Sequence, residues 1–381
     1  MVAEIVFWAC AGTIIFTYAG YPLVLGLLAL VKGRPPAPVE PTEWPFVSAL
    51  VVAYNEERQI ENKIRNILEN GYPADRIEVV VCSDGSTDQT NERVKAYGDP
   101  RVRLAASPVN LGVNAAFARG AAEAKGDVFL MTDSGSLFDQ GAIQKVARHF
   151  ADPKVGLVSG RILFENPLKS SIGSGYRAYW LVETGVRELE SRLGIGAVTV
   201  GAFEMIRRTA YLPVPSHLSN DISAPMYTHH LGFLCRYEPQ GVTVAQQRKT
   251  AGQDFARRLR MAVRTWSTIP YLLGMVPFLQ NIGTWLALLC HKYLRFITWL
   301  FSLGMLVANL FLLDGSFYRA TLAAQGLACV ITLIGWILTV VNLRVRPLTI
   351  PFYFCLLQAA AMVGLLQALA GRRIQTWKPA D

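Results

Sequence analysis

Apolar positions along this chain follow two rhythms. Four long runs hold no charged side chain: 5–31, 296–313, 320–343 and 348–371. Each approaches or exceeds the roughly 20 residues that an α-helix needs to cross about 30 Å of hydrocarbon, so four membrane helices are predicted. Between the first and second runs the pattern shortens. Strand-length apolar stretches, "FVSALVVA", "IEVVVCS", "VRLAAS" and "DVFLMT", are separated by segments whose apolar residues recur every three or four positions, as Ile60, Ile64, Ile67 and Leu68 do. Strands alternating with helices predict an α/β architecture of parallel βαβ units with right-handed crossovers.

Two further segments are amphipathic. In "YRAYWLVETGVRELESRL" the residues Tyr176, Tyr179, Val182, Val186, Leu189 and Leu193 recur at helical spacing, and in "DFARRLRMAVRTW" Phe255, Leu259, Val263 and Trp266 form one face beside four arginines. Both suit the headgroup layer of a bilayer. "YLLGMVPFLQNIGTWLALLC" is placed there as well, because Pro277, Gln280 and Asn281 interrupt it. The expected division is a membrane anchor over 1–34, an α/β domain over 35–250, interfacial helices over 251–292 and membrane helices over 293–381.

Composition changes the picture little. With 381 residues, 52% of them hydrophobic, and a net charge of +9, the chain has room for more than one folding unit and a membrane component. The basic excess sits near membrane helix ends and in the arginine-rich segment, so a nucleic-acid partner is discounted. Glu4 stands where a signal peptide would be basic, and the first run is too long for one, so it reads as an uncleaved anchor. Six scattered cysteines without a CxxC pair argue against a disulfide framework or a zinc site. Lys32 and Arg34, Lys292 and Arg295, and Arg344 and Arg346 can share one side, which makes the polar middle cytoplasmic by the positive-inside rule. Arg372, Arg373 and Lys378 conflict with four full crossings. Either the last segment is re-entrant or "YLLGMVPFLQNIGTWLALLC" crosses as well.

Candidate chemistry stands at the carboxyl ends of the strands, where ligands collect in such sheets. Tyr54-Asn55-Glu56 follow the first strand, Ser83-Asp84-Gly85-Ser86-Thr87-Asp88 the second, and Asp133-Ser134-Gly135 the fourth. Each alone also reads as a turn or a helix cap. Together they place carboxylates where ribose, base or a diphosphate-bound divalent cation would lie. The adjacent His229 and His230 lack metal-ligand spacing and are given no role.

The order of "VVAYNEE", "VVVCSDGSTDQT", "NLGVNAAFARG", "GDVFLMTDS", "VGLVSGRI", "GAFEMIRR", "RYEP" and "HKYLR" resembles the membrane-embedded family 2 glycosyltransferases, the hyaluronan-synthase-like and cellulose-synthase-like group. The resemblance covers nearly the whole chain. It implies a GT-A, Rossmann-like domain between an N-terminal membrane helix and a C-terminal bundle of about three. It also implies that Ala53, Tyr54, Asn55 and Glu56 line a nucleotide pocket, that Asp84 hydrogen-bonds base or ribose, that Asp133 is the first aspartate of a metal-binding DxD, and that Asp221 in "SNDISAP" is the catalytic base. "RRLR", Arg257 to Arg260, takes the place of a QxxRW motif over the diphosphate, with Arg260 matching its arginine. Two departures stand out: Val113 replaces a lysine, for which Arg119 is a speculative substitute, and Gly135 replaces the second carboxylate of DxD.

The implied reaction is inverting transfer from a nucleotide-diphosphate sugar, with Mg2+ or Mn2+, to a growing polysaccharide at the bacterial inner membrane. Alternative readings are transfer of one sugar to a polyprenyl-linked lipid, or a catalytically weak partner within a polysaccharide synthase.

Overall fold

The computed structural model describes residues 1–33, 35, 37–165, 173–245, 250–341, 343 and 345–376. Arg34, Arg344 and Lys378 lie outside the described residues, as do the side chains of Tyr176 and Arg346.

The first apolar run forms α1 (Val2–Ile15) and α2 (Tyr21–Lys32), joined through a π-helical turn at Phe16–Gly20. The four expected strands follow as β1 (Val47–Ala53), β2 (Ile77–Asp84), β3 (Val102–Ser107) and β4 (Val128–Asp133). Between them stand α3 (Ile60–Leu68), α4 (Thr90–Ala96) and α5 (Val113–Glu123). β1 and β2 are buried along their whole length, which is why their sequences are continuous apolar runs. Val47, Ala49 and Val51 pack on Ile60, Ile64 and Ile67 of α3, while Leu50 and Val52 face Ala116, Phe117 and Ala121 of α5, so helices cover both faces.

The chain continues through β5 (Ser136–Phe138), α6 (Ala142–Ala147), β6 (Val155–Phe164), α7 (Gly173–Leu193), β7 (Glu204–Arg207), α8 (Asn220–His230) and β8 (Leu234–Ala245). One eight-stranded sheet results, in the order β3-β2-β1-β4-β7-β6-β8-β5. β7 runs antiparallel to both β4 and β6. Its start therefore lies beside the end of β4: Thr132 Oγ1 donates to the Ala202 carbonyl at 2.9 Å.

After the sheet come α9 (Ala251–Met275), α10 (Ile282–Leu288), α11 (Leu294–Phe296), α12 (Thr298–Leu310), α13 (Ser316–Val340) and α14 (Arg346–Leu369). The Ile282–Phe296 and Thr298–Leu310 helices meet at a 58° bend. A buried ionic cluster ties this bend to α7 and α2. His291 stands 2.9 Å from both Glu190 oxygens and 3.1 Å from Glu183, Tyr21 donates to Glu190 at 2.6 Å, and Arg187 and Arg295 donate to Glu183 at 2.9 and 2.8 Å. Removing one partner of such a set strands a buried charge, so the cluster fixes how the first membrane helix meets α7.

Phe317 and Tyr318, at the start of α13, pack on Phe7 and Trp8 of α1. Gly335, nearer the end of α13, meets Leu348 and Phe352 of α14. From there α14 lies along α9: Tyr353 donates to Asp254 at 3.0 Å, and Gly364 packs on Ala262. The tail beyond it returns to the sheet domain, where the Gln375 carbonyl sits so close to Gly112 that a Cβ there would collide. Among the described residues Val2–Lys32, Ser316–Val340 and Leu348–Leu369 are long and apolar enough to cross a membrane, and the bent Ile282–Phe296 and Thr298–Leu310 pair makes a fourth if it is one span.

Candidate active site

The loops after β1 and β2 are laced together by short polar side chains. Asn55 Oδ1 accepts from the Thr87 amide at 2.8 Å, Ser86 Oγ accepts from the Asn55 amide at 3.2 Å, Thr90 Oγ1 from the Glu56 amide at 2.8 Å, and Asp88 from the Glu57 amide at 3.1 Å. Asn55 has φ +56°, the one non-glycine positive φ among the described residues. Asparagine tolerates that left-handed geometry better than most residues, and such strain collects at functional sites. Asp84 is buried, and its two oxygens each accept at 2.8 Å, one from the Leu111 amide and one from Gly112. It braces the loop that leads into α5.

Asp133 ends β4 and is exposed. Beneath its turn lies Lys63, fully buried, one polar position on the otherwise apolar face of α3. Its amine donates to Thr132 Oγ1 at 2.9 Å and to the Ser136 carbonyl, and stands 3.9 Å over the Phe138 ring. Burial pulls its pKa down to about 7, and the Asp133 carboxylate opposes that fall. Glu56 faces the same turn. Burial raises its carboxyl above the usual range, hydrogen bonds from Gln59 and Ser134 oppose this, and the charges of Asp133 and Asp88 add to it. Mutual repulsion between Glu56 and Asp133 is the mark of a patch that a cation would relieve. Gly135 offers no side-chain oxygen, and no group of three or more metal-ligating side chains occurs among the described residues. Magnesium and manganese need no more than one or two carboxylates when phosphate oxygens and water complete the shell, so Asp133 and Glu56 fit a divalent ion shared with a diphosphate.

Asp221 lies on a helix. It occupies the first turn of α8, where unpaired helix amides favour an acidic side chain. The Asp221 carbonyl accepts from the Thr199 amide at 2.9 Å, and its Oδ1 stands 2.8 Å from the position a Cβ at Gly201 would take. Gly201 adjoins Ala202, whose carbonyl is held by Thr132, so the antiparallel β7 brings Asp221 toward the carboxyl end of the central strand β4, where Asp133 stands. Among the described residues no hydrogen bond occupies the Asp221 carboxylate.

On α9, Arg257, Arg260 and Arg264 follow helical spacing and share a face. Nothing in the local sequence sets Arg264 apart from its neighbours. It donates to the Leu218 carbonyl at 3.0 and 2.6 Å, and the attraction of Asp221 opposes the fall in its pKa that burial causes. Thr268, one turn on, accepts from the Ser219 amide at 2.9 Å, so α9 holds the entry to α8. Arg258, inside "RRLR", instead docks α14: it donates to Tyr353 at 3.1 Å and lies 4.7 Å over the Tyr179 ring. His229 bonds the Gly196 carbonyl at 3.0 Å.

A family model for glycosyl transferase family 2 matches residues 48–212, which include the carboxyl ends of β1, β2 and β4. The chain carries a glycosyl transferase family 2 domain. Asp221 and the α9 arginines lie beyond the matched residues. Among curated proteins, an N-acetylglucosaminyltransferase of Rhizobium meliloti (strain 1021) is 28% identical over 273 residues, 65% of this chain and 64% of that protein. A poly-β-1,6-N-acetyl-D-glucosamine synthase of Staphylococcus aureus (strain COL) is 26% identical over 226 residues, 57% of this chain and 53% of the synthase. The chain thus spans less than two thirds of these relatives. Among solved structures, a mannosyltransferase from Pyrobaculum calidifontis in complex with GDP-Man and Mn2+ superposes with a TM-score of 0.71 at 22% identity, covering 98% of this chain and 99% of that one. That likeness establishes the fold: the glycosyl transferase domain is a Rossmann-like GT-A sheet with apolar helices before and after it.

Proposed function

We propose that this family 2 chain is an inverting glycosyltransferase that moves a sugar from a nucleotide-diphosphate donor to a growing polysaccharide at a membrane surface. The observation that carries the reading is the convergence of Asp133, at the carboxyl end of β4, and Asp221, beside Gly201 just before β7, with Arg264 of α9 close to Asp221. Names of the relatives, N-acetylglucosaminyltransferase and poly-β-1,6-N-acetyl-D-glucosamine synthase, support polysaccharide synthesis. The Mn2+ and GDP-Man bound by the structural neighbour support a metal-assisted nucleotide donor.

In this reading Ala53, Tyr54, Asn55 and Glu56 border the nucleotide, and Asp84 meets it as the brace of the Leu111–Gly112 loop. Asp133 and Glu56 would hold Mg2+ or Mn2+, which neutralises charge on the departing diphosphate. Arg257 and Arg260 add positive charge on that side. Asp221 takes the proton of the acceptor hydroxyl as its oxygen bonds the anomeric carbon. The bond from that carbon to the diphosphate breaks with its electron pair leaving on the diphosphate, so an α-linked donor gives a β-linked product in one displacement.

The interfacial helices α7 and α9 hold this chemistry against the bilayer, with the catalytic domain on the cytoplasmic side of a bacterial inner membrane. A second reading, transfer of one sugar to a polyprenyl-linked lipid, draws on the small number of apolar helices after the sheet, which leave a narrow path at best for a polymer. Purified protein given UDP-N-acetylglucosamine or GDP-mannose with Mn2+, and the products sized by mass spectrometry, tests both. A ladder of β-linked oligomers supports the first reading and a single lipid-linked sugar the second. Failure to bind any nucleotide diphosphate with metal present sinks both.

A further inference from the structure

Under the candidate base lies a carboxyl that the reaction above does not use. Glu204 opens β7 in the apolar stretch "GAFEMI" and has no solvent exposure. One oxygen accepts from Asn220 Nδ2 at 3.3 Å, and the other is hydrogen-bonded to Thr199 Oγ1. The same Thr199 hydroxyl lies 3.2 Å from the Asp221 carbonyl, which also takes the Thr199 amide. Glu204 therefore grips Asp221 from both sides, through the residue before it and through the threonine that holds its backbone.

We propose that Glu204 is a positioning residue that sets the Asp221 carboxylate for proton abstraction, a role resting on the reading of Asp221 as the base. The hydrogen-bond pattern is complete only when Glu204 carries a proton. A protonated Glu204 donates to Thr199 Oγ1, and the threonine's single proton is then free for the Asp221 carbonyl. An ionised Glu204 claims that proton for itself, and the Asp221 carbonyl keeps only the Thr199 amide.

The surroundings favour the neutral acid. The groups that act on Glu204 are Asp221 and Asn220 on α8 and Thr199 before β7; Cys235 on β8 and Tyr211 after β7 also feel its charge. None is basic. Burial, with the repulsion of Asp221 behind it, pushes its pKa up to about 8 against the two hydrogen bonds.

The test is the pH profile of kcat for the full-length protein in lipid nanodiscs, with donor affinity measured beside it. The wild-type rate should fall as pH rises past about 8. Glu204→Gln keeps a donor for Thr199 and an acceptor for Asn220 but cannot ionise, so it should hold a near-normal rate at neutral pH and lose the alkaline fall. Glu204→Ala and Thr199→Val should lower kcat by roughly tenfold while leaving donor affinity intact, which separates lost positioning from misfolding. An unchanged alkaline fall in Glu204→Gln, or a wild-type kcat in Glu204→Ala, overturns the inference. Asp221→Asn run in parallel separates the two failures. If it is inactive while Glu204→Gln behaves as wild type, only the Glu204 inference falls. If it is active, the base reading falls and takes the inference with it.

Discussion

The two sides of the proposed site, the donor edge around Asp133 and the acceptor edge around Asp221, are built on the same plan with opposite materials. Each presents an exposed or half-exposed aspartate, Asp133 or Asp221, on top of a fully buried ionisable side chain, Lys63 or Glu204. Burial drives both hidden groups toward neutrality, the amine down to about 7 and the carboxyl up to about 8. The difference is in what they hold. Lys63 grips the backbone and hydroxyl of the turn that carries Asp133, whereas Glu204 bonds the Thr199 hydroxyl that reaches the Asp221 carbonyl and the side-chain amide of the preceding Asn220. A buried polar group is costly unless fully hydrogen-bonded, so each works as a fixed scaffold for the exposed charge above it.

Breaking the acceptor edge outright gives the largest effect. Asp221→Asn should cut kcat by about a thousandfold with donor affinity unchanged, because the acceptor proton loses its base while the nucleotide keeps its contacts. Titrating nucleotide against the variant checks the second half of that statement.

Breaking the donor edge should show in the opposite column. Asp133→Ala should weaken metal-dependent nucleotide binding by roughly a hundredfold, while binding without metal changes little. Glu56→Gln should give a smaller loss in the same assay. An Asp133→Ala protein with unaltered Mn2+ dependence would return Asp133 to the role of a turn residue.

Gly201 sharpens the comparison because it separates the two edges. A methyl group there would stand 2.8 Å from Asp221 Oδ1 and must displace it. Gly201→Ala should reduce kcat by about tenfold and leave donor KM alone. A rise in KM instead would mean that the two edges move together.

The smallest expected effect is on stability. Since the folded protein holds the Glu204 proton up to about 8 while an unfolded carboxyl releases it near 4.5, folding binds a proton between those values. The contribution is full below about 4.5, declines as pH rises to about 8, and changes no further above it. The melting temperature of Glu204→Gln relative to wild type should therefore rise by a few degrees across that window, read by thermal denaturation at fixed ionic strength.

Much of the donor edge was legible in the sequence. Parallel strands buried on both faces must be continuous apolar runs, and the residues directly after each run must stand at the strand's carboxyl end. Asn55, Asp84 and Asp133 are therefore placed by pattern alone. The acceptor edge was less legible. Asp221 was marked only by the resemblance, because Pro225 obscures the helical pattern there, and the structure puts both residues in one helix with Asp221 in its first turn. Lys63 and Glu204 each left only one faint signal, a single ionisable residue in an otherwise apolar pattern, and that signal does not say what the residue will meet.

The membrane segments divide the same way. Length and hydropathy marked four apolar helices, because the cost of placing a charge in hydrocarbon accrues residue by residue along the chain. How the last of them packs was decided by contacts between residues far apart, Tyr353 with Asp254, Gly364 with Ala262, and Gln375 with Gly112. Local pattern determined which segments form strands, helices and apolar runs, since these depend on neighbours a few positions away. Only the tertiary structure decided that an antiparallel seventh strand brings Asp221 toward Asp133, that Glu204 lies beneath it, and that the tail comes home to the sheet, because pairing between distant segments is fixed by packing and hydrogen bonding that no single stretch of sequence contains.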